Sequence, residues 1–364
     1  MRRSSTIATL RRRLGALTIA CSTLASLAGG STIVSARETF DHGSASAANG
    51  PFLVTVQQPG THQAQLLAVQ PGHSPRVLVS DLPGQTRIAP SPRGRYVALA
   101  EDVRGLWILD STGHGLRRLL FPPASSSPTS HRLVVGSVAW SPDRYTIAYT
   151  IMEAPLNPDA PRLTLDEPDP SVGIWLVRYD TGRPRQVATA RHLGYNLGHL
   201  SWSSDGRRIA VTGLRLAVVT ITTGYVRHVS IQMALDAAFS PTTLSLVVAA
   251  PSCATTSRDA APHADLGPKE GSGVMFCATD ADGQQTHVLG RDSTLSAEGV
   301  DGMLIRVVWS PDGRRLALLI DRARRCLEIR ILDVATGHVR KMVLASSYAP
   351  TYDFSDLAWL HVRI

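Results

Sequence analysis

The chain has 364 residues, 43% hydrophobic and only 18% charged, which is ample for a large core and unlike a disordered tail protein. Its formal charge is +8, but five arginines and no acid fall in residues 1–36, so the remainder carries only +3. No basic stripe interleaved with aromatics is left beyond that segment, which excludes a nucleic-acid-binding class. Gly and Pro interrupt the chain throughout, and no long amphipathic helical pattern lies outside the N-terminus, so the expected fold is all-β.

The N-terminus has the three parts of an export signal. Arg2, Arg3 and Arg11 to Arg13 are a basic region, Leu14 to Gly30 is an uncharged apolar and small-residue run, and Val34-Ser35-Ala36 puts small residues at the −3 and −1 positions of a cleavage site. Residues 1–36 therefore read as a secretory signal peptide, with an uncleaved membrane anchor as the rival, since Leu14 to Val34 is long enough to span. Cys21 offers a third reading, lipidation, but Thr18 stands where a lipobox has an aliphatic residue. The surroundings of Arg2-Arg3 do not support twin-arginine export. Residues 37–50 read as a flexible linker and residues 51–364 as the folded domain.

The folded part is built on one repeated unit. Phe52 to Val56, Gln65 to Val69 and Arg76 to Ser80 read as second, third and fourth strands without a first. Five fuller copies follow, marked by Pro90-Ser91-Pro92-Arg93-Gly94, Trp140-Ser141-Pro142-Asp143, Trp202-Ser203-Ser204-Asp205-Gly206, Phe239-Ser240-Pro241 and Trp309-Ser310-Pro311-Asp312-Gly313. In this turn Pro sets φ at the first central position, Asp suits the second, and Gly takes the positive φ that closes the hairpin. Each copy continues into a second strand, a third strand, a turn such as Thr112-Gly113, Thr181-Gly182, Thr223-Gly224, Asp282-Gly283 or Thr336-Gly337, and a fourth strand. The chain ends on a half-copy, Asp356 to Trp359, which reads as a first strand alone. Pairing it with Phe52 to Val56 closes a ring and removes the open sheet edges. The expected architecture is a six-bladed β-propeller of four-stranded antiparallel blades, one blade shared between the two ends of the domain.

The run Trp309-Ser310-Pro311-Asp312-Gly313-Arg314-Arg315-Leu316-Ala317, nearly repeated at Trp202 to Ala210, resembles the WD40-like propeller repeat of the TolB family. Third strands ending in Asp-x-x-Thr-Gly, as at Asp333 to Gly337, fit the same family. The resemblance covers about residues 51–364 and implies the propeller fold. TolB itself carries an α/β domain before its propeller, and only residues 37–50 stand in that place, so a propeller alone is expected. Related repeats occur in prolyl-oligopeptidase-type peptidases, but no GxSxG nucleophile elbow is present.

In such a blade the loops alternate between two faces. The Ser-Pro-Asp-Gly and Thr-Gly turns share one face, and all the long, irregular connections fall on the other. Loops on a rigid scaffold are where binding usually resides, so that face is the expected binding face. His131, Arg132, Arg191, His192, Tyr195, Asn196 and His199 are read as lying in loops that enter first strands near the central channel, as a polar cluster for a small ligand or a peptide terminus. Asp166, Glu167 and Asp169 belong to an acidic, proline-stiffened insertion; their oxygens could ligate Ca²⁺, but the spacing is not an EF-hand, and a solvated loop is the better reading. No CxxC or histidine-rich spacing suggests a metal, and no cofactor is expected.

Three cysteines follow residue 36, and export permits disulfides. Cys253 and Cys277 bracket a polar insertion, so a bridge across its base is expected, against the alternative of three buried thiols. The first-strand aromatics Trp140, Trp202, Phe239, Trp309 and Trp359 share one repeat position and read as blade-to-blade core. The functional expectation is an exported, monomeric protein-interaction scaffold with envelope partners, reaching a membrane only through residues 1–36. The alternatives are a lyase or hydrolase at the channel mouth, or a small-molecule or carbohydrate-binding propeller.

Overall fold

The computed structural model describes residues 49–57, 63–71, 73–83, 86–125, 131–156, 168–194, 197–213, 215–231, 233–253, 273–280, 285–295, 303–322, 326–343 and 356–361. These residues form six four-stranded antiparallel sheets, each one blade of a six-bladed β-propeller. Blade 1 pairs the C-terminal strand Asp356–Trp359 with Phe52–Gln57, followed by Gln63–Val69 and Arg76–Pro83. The closing register runs from Phe52 opposite Trp359 to Thr55 opposite Asp356. Blades 2 to 6 take their strands in chain order, beginning at Thr86–Pro90, His131–Trp140, Leu197–Trp202, Asp236–Phe239 and Met303–Trp309. These five first strands and Asp356–Trp359 touch one another in succession and make the innermost ring around the channel.

The repeated turn works as its residues dictate. The Ser310 hydroxyl accepts the Arg315 N–H at 2.9 Å and donates to Asp312 Oδ1 at 2.6 Å, and the Gly313 N–H closes on the Ser310 carbonyl at 2.9 Å. Gly313, Gly206 and Gly94 hold φ of 68°, 69° and 65°. In one of the two copies that lack this glycine, Arg144 takes the same conformation with φ 71°.

The core lies between blades. Trp140, Trp202, Phe239 and Trp359 are buried at the ends of the innermost strands. Three indole N–H groups donate into the neighbouring structure: Trp202 to Ala139 O at 3.2 Å, Trp309 to Ala238 O at 2.9 Å and Trp359 to Gly50 O at 3.0 Å. Cys253 and Cys277 form a disulfide with Cα atoms 5.5 Å apart, tying the third strand of blade 5 to the segment after its second strand. Cys326 opens the third strand of blade 6.

Blade 3 differs from expectation. Its first two strands extend to His131–Trp140 and Thr146–Pro155, so His131 and Arg132 lie in a strand, not in an entering loop. The extension is made possible by a bulge between Val135 and Val138 at Gly136, where a Cβ would come within 2.8 Å of Thr150 Oγ1. The pairing then resumes out to His131 opposite Pro155. Arg191 and His192 likewise sit in a short helix, Ala190–Leu193, rather than in irregular loop.

Candidate functional site

Three residues before the first-strand aromatic, or before Pro90 in blade 2, every innermost strand carries a polar side chain. The six, in blade order, are Asp356, Arg87, Ser137, His199, Asp236 and Arg306. They share one register, on the half of each strand that enters from the long loops, and so form a ring at the channel mouth on that face. In blades 3, 4 and 6 the ring residue sits in or beside a register shift, between Val135 and Val138, Leu197 and Leu200, and Leu304 and Arg306. A bulge turns a side chain away from its regular direction, which is how a strand packed on both faces presents a polar group to the channel. The freed N–H groups are satisfied locally. Ser137 donates to Thr150 Oγ1 at 2.7 Å, His199 to Thr212 Oγ1 at 2.8 Å and Asp356 to Thr55 Oγ1 at 2.7 Å.

The ring alternates in chemistry. Blades 1, 3 and 5 supply acceptors, Asp356, Ser137 and Asp236, while blades 2, 4 and 6 supply bases, Arg87, His199 and Arg306. Each acceptor also reaches into the next blade and takes the backbone N–H that follows the ring base. Asp356 Oδ2 accepts from Ile88 at 2.8 Å, Ser137 Oγ from Leu200 at 3.2 Å and Asp236 Oδ2 from Val307 at 2.6 Å. Asp236 Oδ1 also accepts from the Ala237 N–H at 2.9 Å and lies 3.1 Å from His199 Nδ1 and 3.4 Å from Arg306 Nη1. Arg306 Nε lies 3.2 Å from Asp356 Oδ1, so its guanidinium is held between two carboxylates.

Burial and charge set the protonation states. Burial raises the Asp236 pKa, but its interactions with His199 and Arg306 and its hydrogen bonds outweigh that, and the group is held below the ordinary carboxylate value. Burial lowers the His199 pKa, with Arg306 acting in the same direction against the attraction of Asp236, so the imidazole is neutral near pH 7. A neutral ring that donates through Nδ1 to Asp236 keeps its acceptor at Nε2. Burial also draws down the Arg87 pKa, opposed first by Asp356. It remains a cation, since arginine does not lose its proton in proteins.

A pocket of about 230 Å³ opens beside the ring, lined among others by Arg87, Ser137, His199, Met152, Thr212 and Leu235. Asp236, Arg306 and Asp356 do not line it. What a ligand meets is therefore a guanidinium, an imidazole and hydroxyls over apolar walls, with the carboxylates set behind. Among the described residues no group of His, Cys, Asp and Glu is arranged to hold a metal ion.

Of the described residues singled out in the sequence, only His199 reaches this site. His131 is buried at the outer end of its strand, and Arg132 pairs with Asp102 across the blade 2–3 junction at 3.6 Å. His192 Nδ1 lies 3.3 Å from Thr189 Oγ1, and its carbonyl lies 3.2 Å from His228 Nε2 in blade 4, so it ties two blades together at the surface, next to Arg191. Asp169 is buried and makes a turn, accepting the Ser171 N–H at 2.8 Å while its own N–H goes to Glu153 Oε1 at 2.9 Å. Asp166, Glu167, Tyr195 and Asn196 lie outside the described residues. Arg87, Ser137, Asp236, Arg306 and Asp356 were missed, although a signal was present: each is a polar residue three places before the repeat marker.

The geometry defines a six-bladed propeller with a charged ring at its channel mouth. In fold the chain is a TolB-like propeller. It is similar to TolB from Acinetobacter baumannii, with a TM-score of 0.57 at 12% identity over 86% of this chain and 67% of that one. It is also similar to a putative TolB from Agrobacterium tumefaciens, with a TM-score of 0.51 at 13% identity over 86% of this chain and 99% of that one. A periplasmic gluconolactonase from Pseudomonas aeruginosa matches at a TM-score of 0.49 and 16% identity, over 86% of this chain and 99% of that one. No protein-family model matches the sequence, and no curated protein matches it significantly. At these identities the likeness concerns the fold, and function has to be argued from the site.

Proposed function

We propose that the chain is an exported propeller that binds a protein partner, taking a segment of that partner into the channel mouth on the long-loop face. The observation that carries this reading is the polar ring of six innermost-strand residues, which meets a pocket lined by Arg87, Ser137 and His199 on the face where the irregular loops gather. The N-terminal signal pattern supports export, and no helix among the described residues is long and apolar enough to cross a membrane. The test is recovery of partners from the native envelope fraction by the mature protein and by an Arg87→Gln/His199→Gln double variant of equal Tm. Loss of the same partners from the variant is expected. Equal recovery overturns the assignment to the mouth.

One observation favours a second reading, a channel-mouth enzyme. Asp236 fixes the His199 tautomer as a general base requires, beside a cationic pocket. This reading expects His199→Gln to abolish turnover of a sugar lactone or uronate-containing oligosaccharide. Absence of turnover by the wild-type chain across such substrates removes it.

A further inference from the structure

Blade 2 departs from the other five blades at one buried position. In each blade a residue of the second strand pairs with the repeat marker of the first strand. Four places further along, blades 1, 3, 4, 5 and 6 carry Val56, Ile151, Gly213, Ala250 and Ile320. Blade 2 puts Glu101 there. Side chains alternate along a strand, so Glu101 continues the face of Val97 and Leu99, which packs with Leu53, Leu66 and Leu82 of blade 1. It points into the junction of blades 1 and 2 and is only 2% exposed.

Among the described residues no hydrogen bond or ion pair engages this carboxylate. Arg104 acts on it electrostatically, but the two form no ion pair. Asp102, the next residue, is engaged by Arg132 of blade 3 at 3.6 Å. Burial raises the Glu101 pKa, opposed by Arg104, which is the sign of a charge taken from water without a partner. An apolar side chain would serve the junction better, as the other blades show. A local rule broken in this way is expected at a functional position.

What Glu101 faces is a cavity of about 340 Å³ between the two blades, on the long-loop face. The volume is in the range of ligand pockets. Asp81 adds an exposed second acid, and Leu82, Pro83 and Val103 make apolar wall. Arg104 is the one base among the described lining residues. A neutral ligand would leave Glu101 unpaired, and an anion would be repelled. Among the described residues no group is arranged to hold a metal ion. Asp81 and Glu101 come from different blades, an arrangement that suits a compact ammonium with three donors better than a planar guanidinium fork.

We propose that this cavity binds a primary ammonium carried on a short aliphatic stem, with Glu101 as its buried counter-ion and Asp81 at the rim. The stem lies against Leu82, Pro83 and Val103. The source is either a lysine side chain of a partner protein or a free alkylamine. The site is on the face assigned to binding but outside the channel mouth, so it goes beyond that reading and does not depend on it.

The test is calorimetric titration of the mature protein, at fixed ionic strength, with n-butylammonium, n-butanol and Nα-acetyl-lysine N-methylamide. The butylammonium ion is expected to bind at least about ten-fold more tightly than the alcohol, as a charge-assisted pair requires. Capped lysine binding as tightly as butylammonium identifies a partner side chain, and much weaker capped lysine identifies a free amine. Glu101→Gln is expected to weaken butylammonium by about ten-fold or more. Glu101→Val, which installs the residue type of blade 1, is expected to keep or raise the Tm while abolishing ammonium binding. Equal affinity for ammonium and alcohol, no binding of either ammonium probe at tens of millimolar, or unchanged binding by Glu101→Gln overturns the proposal. A Glu101→Val variant several degrees less stable also overturns it, because the carboxyl is then satisfied within the fold. Partner recovery reads Arg87 and His199 while this titration reads Glu101, so either reading can fail and leave the other standing.

Discussion

The two ends of each innermost strand lie three residues apart and obey different rules. At the short-turn end stand Trp140, Trp202, Phe239, Trp309 and Trp359, nearly one solution repeated around the ring. At the long-loop end stand Asp356, Arg87, Ser137, His199, Asp236 and Arg306, where four residue types occupy six places. The aromatic end must meet a neighbouring blade at the same angle each time, and close packing accepts few shapes. The mouth end faces the channel, so packing does not dictate it, and the constraint becomes electrostatic: a buried charge has to find a partner. Repetition therefore marks the scaffold, and variation at a fixed register marks the site.

The contrast can be broken or sharpened experimentally. The largest effect is expected from Asp236→Ala, which leaves the Val307 N–H without its acceptor and the Arg306 cation with Asp356 but without its second carboxylate. A loss of about 3–5 kcal/mol in chemical denaturation is expected for breaking such a buried pair. A loss below 1 kcal/mol would mean that the ring is not electrostatically closed. Replacing both Cys253 and Cys277 with Ser opens the 24-residue separation that they close and should cost about 3 kcal/mol. Because the bridge lies away from the ring, partner recovery should not change, and a parallel loss of binding would join the two regions. At the short-turn face, Gly313→Ala should cost about 1–2 kcal/mol, since φ is 68° and a new Cβ would meet Thr242 Oγ1 at 2.3 Å. In the sister turn Arg144 already bears a side chain at φ 71°, so Arg144→Gly should stabilise by up to about 1 kcal/mol, and a destabilised variant would refute the shared turn geometry.

The smallest effect is a pH dependence. The His199 pKa is lowered in the fold, so the unfolded chain binds the proton first as pH falls. The stability contribution is complete above about pH 6.5, the ordinary histidine value, and is lost as pH falls through the lower folded value. The groups acting on the ring are Asp236, Arg306 and Arg87, and Asp236, also lowered, contributes its own loss only further down, in the carboxylate range. His199→Gln should remove the upper part of this acid slope in urea denaturation between about pH 5 and 7. An unchanged slope would show that folding does not lower the His199 pKa.

Strand boundaries were legible in the sequence because each is punctuated locally. Ser310-Pro311-Asp312-Gly313 and Thr336-Gly337 carry their own turn chemistry, and the half-copy Asp356 to Trp359 needed a partner that only Phe52 to Val56 could supply. The site was less legible. Histidines and charged residues between strand-like runs suggest loop sites, yet His131 and Arg132 lie in an extended strand, and Arg191 and His192 in a helical turn.

The sequence alone thus determined the blade count, the split closure and the two unlike faces, because turns and strand periodicity are properties of neighbours along the chain. Only the tertiary structure decided that Asp356 and Arg306, 50 positions apart, and Asp236 and His199, 37 apart, belong to one ring. Ring closure brings these strands together, and the bulges at Gly136 and Gly198 help turn their polar side chains toward a common channel. No local pattern encodes that convergence, since it exists only once six blades have met.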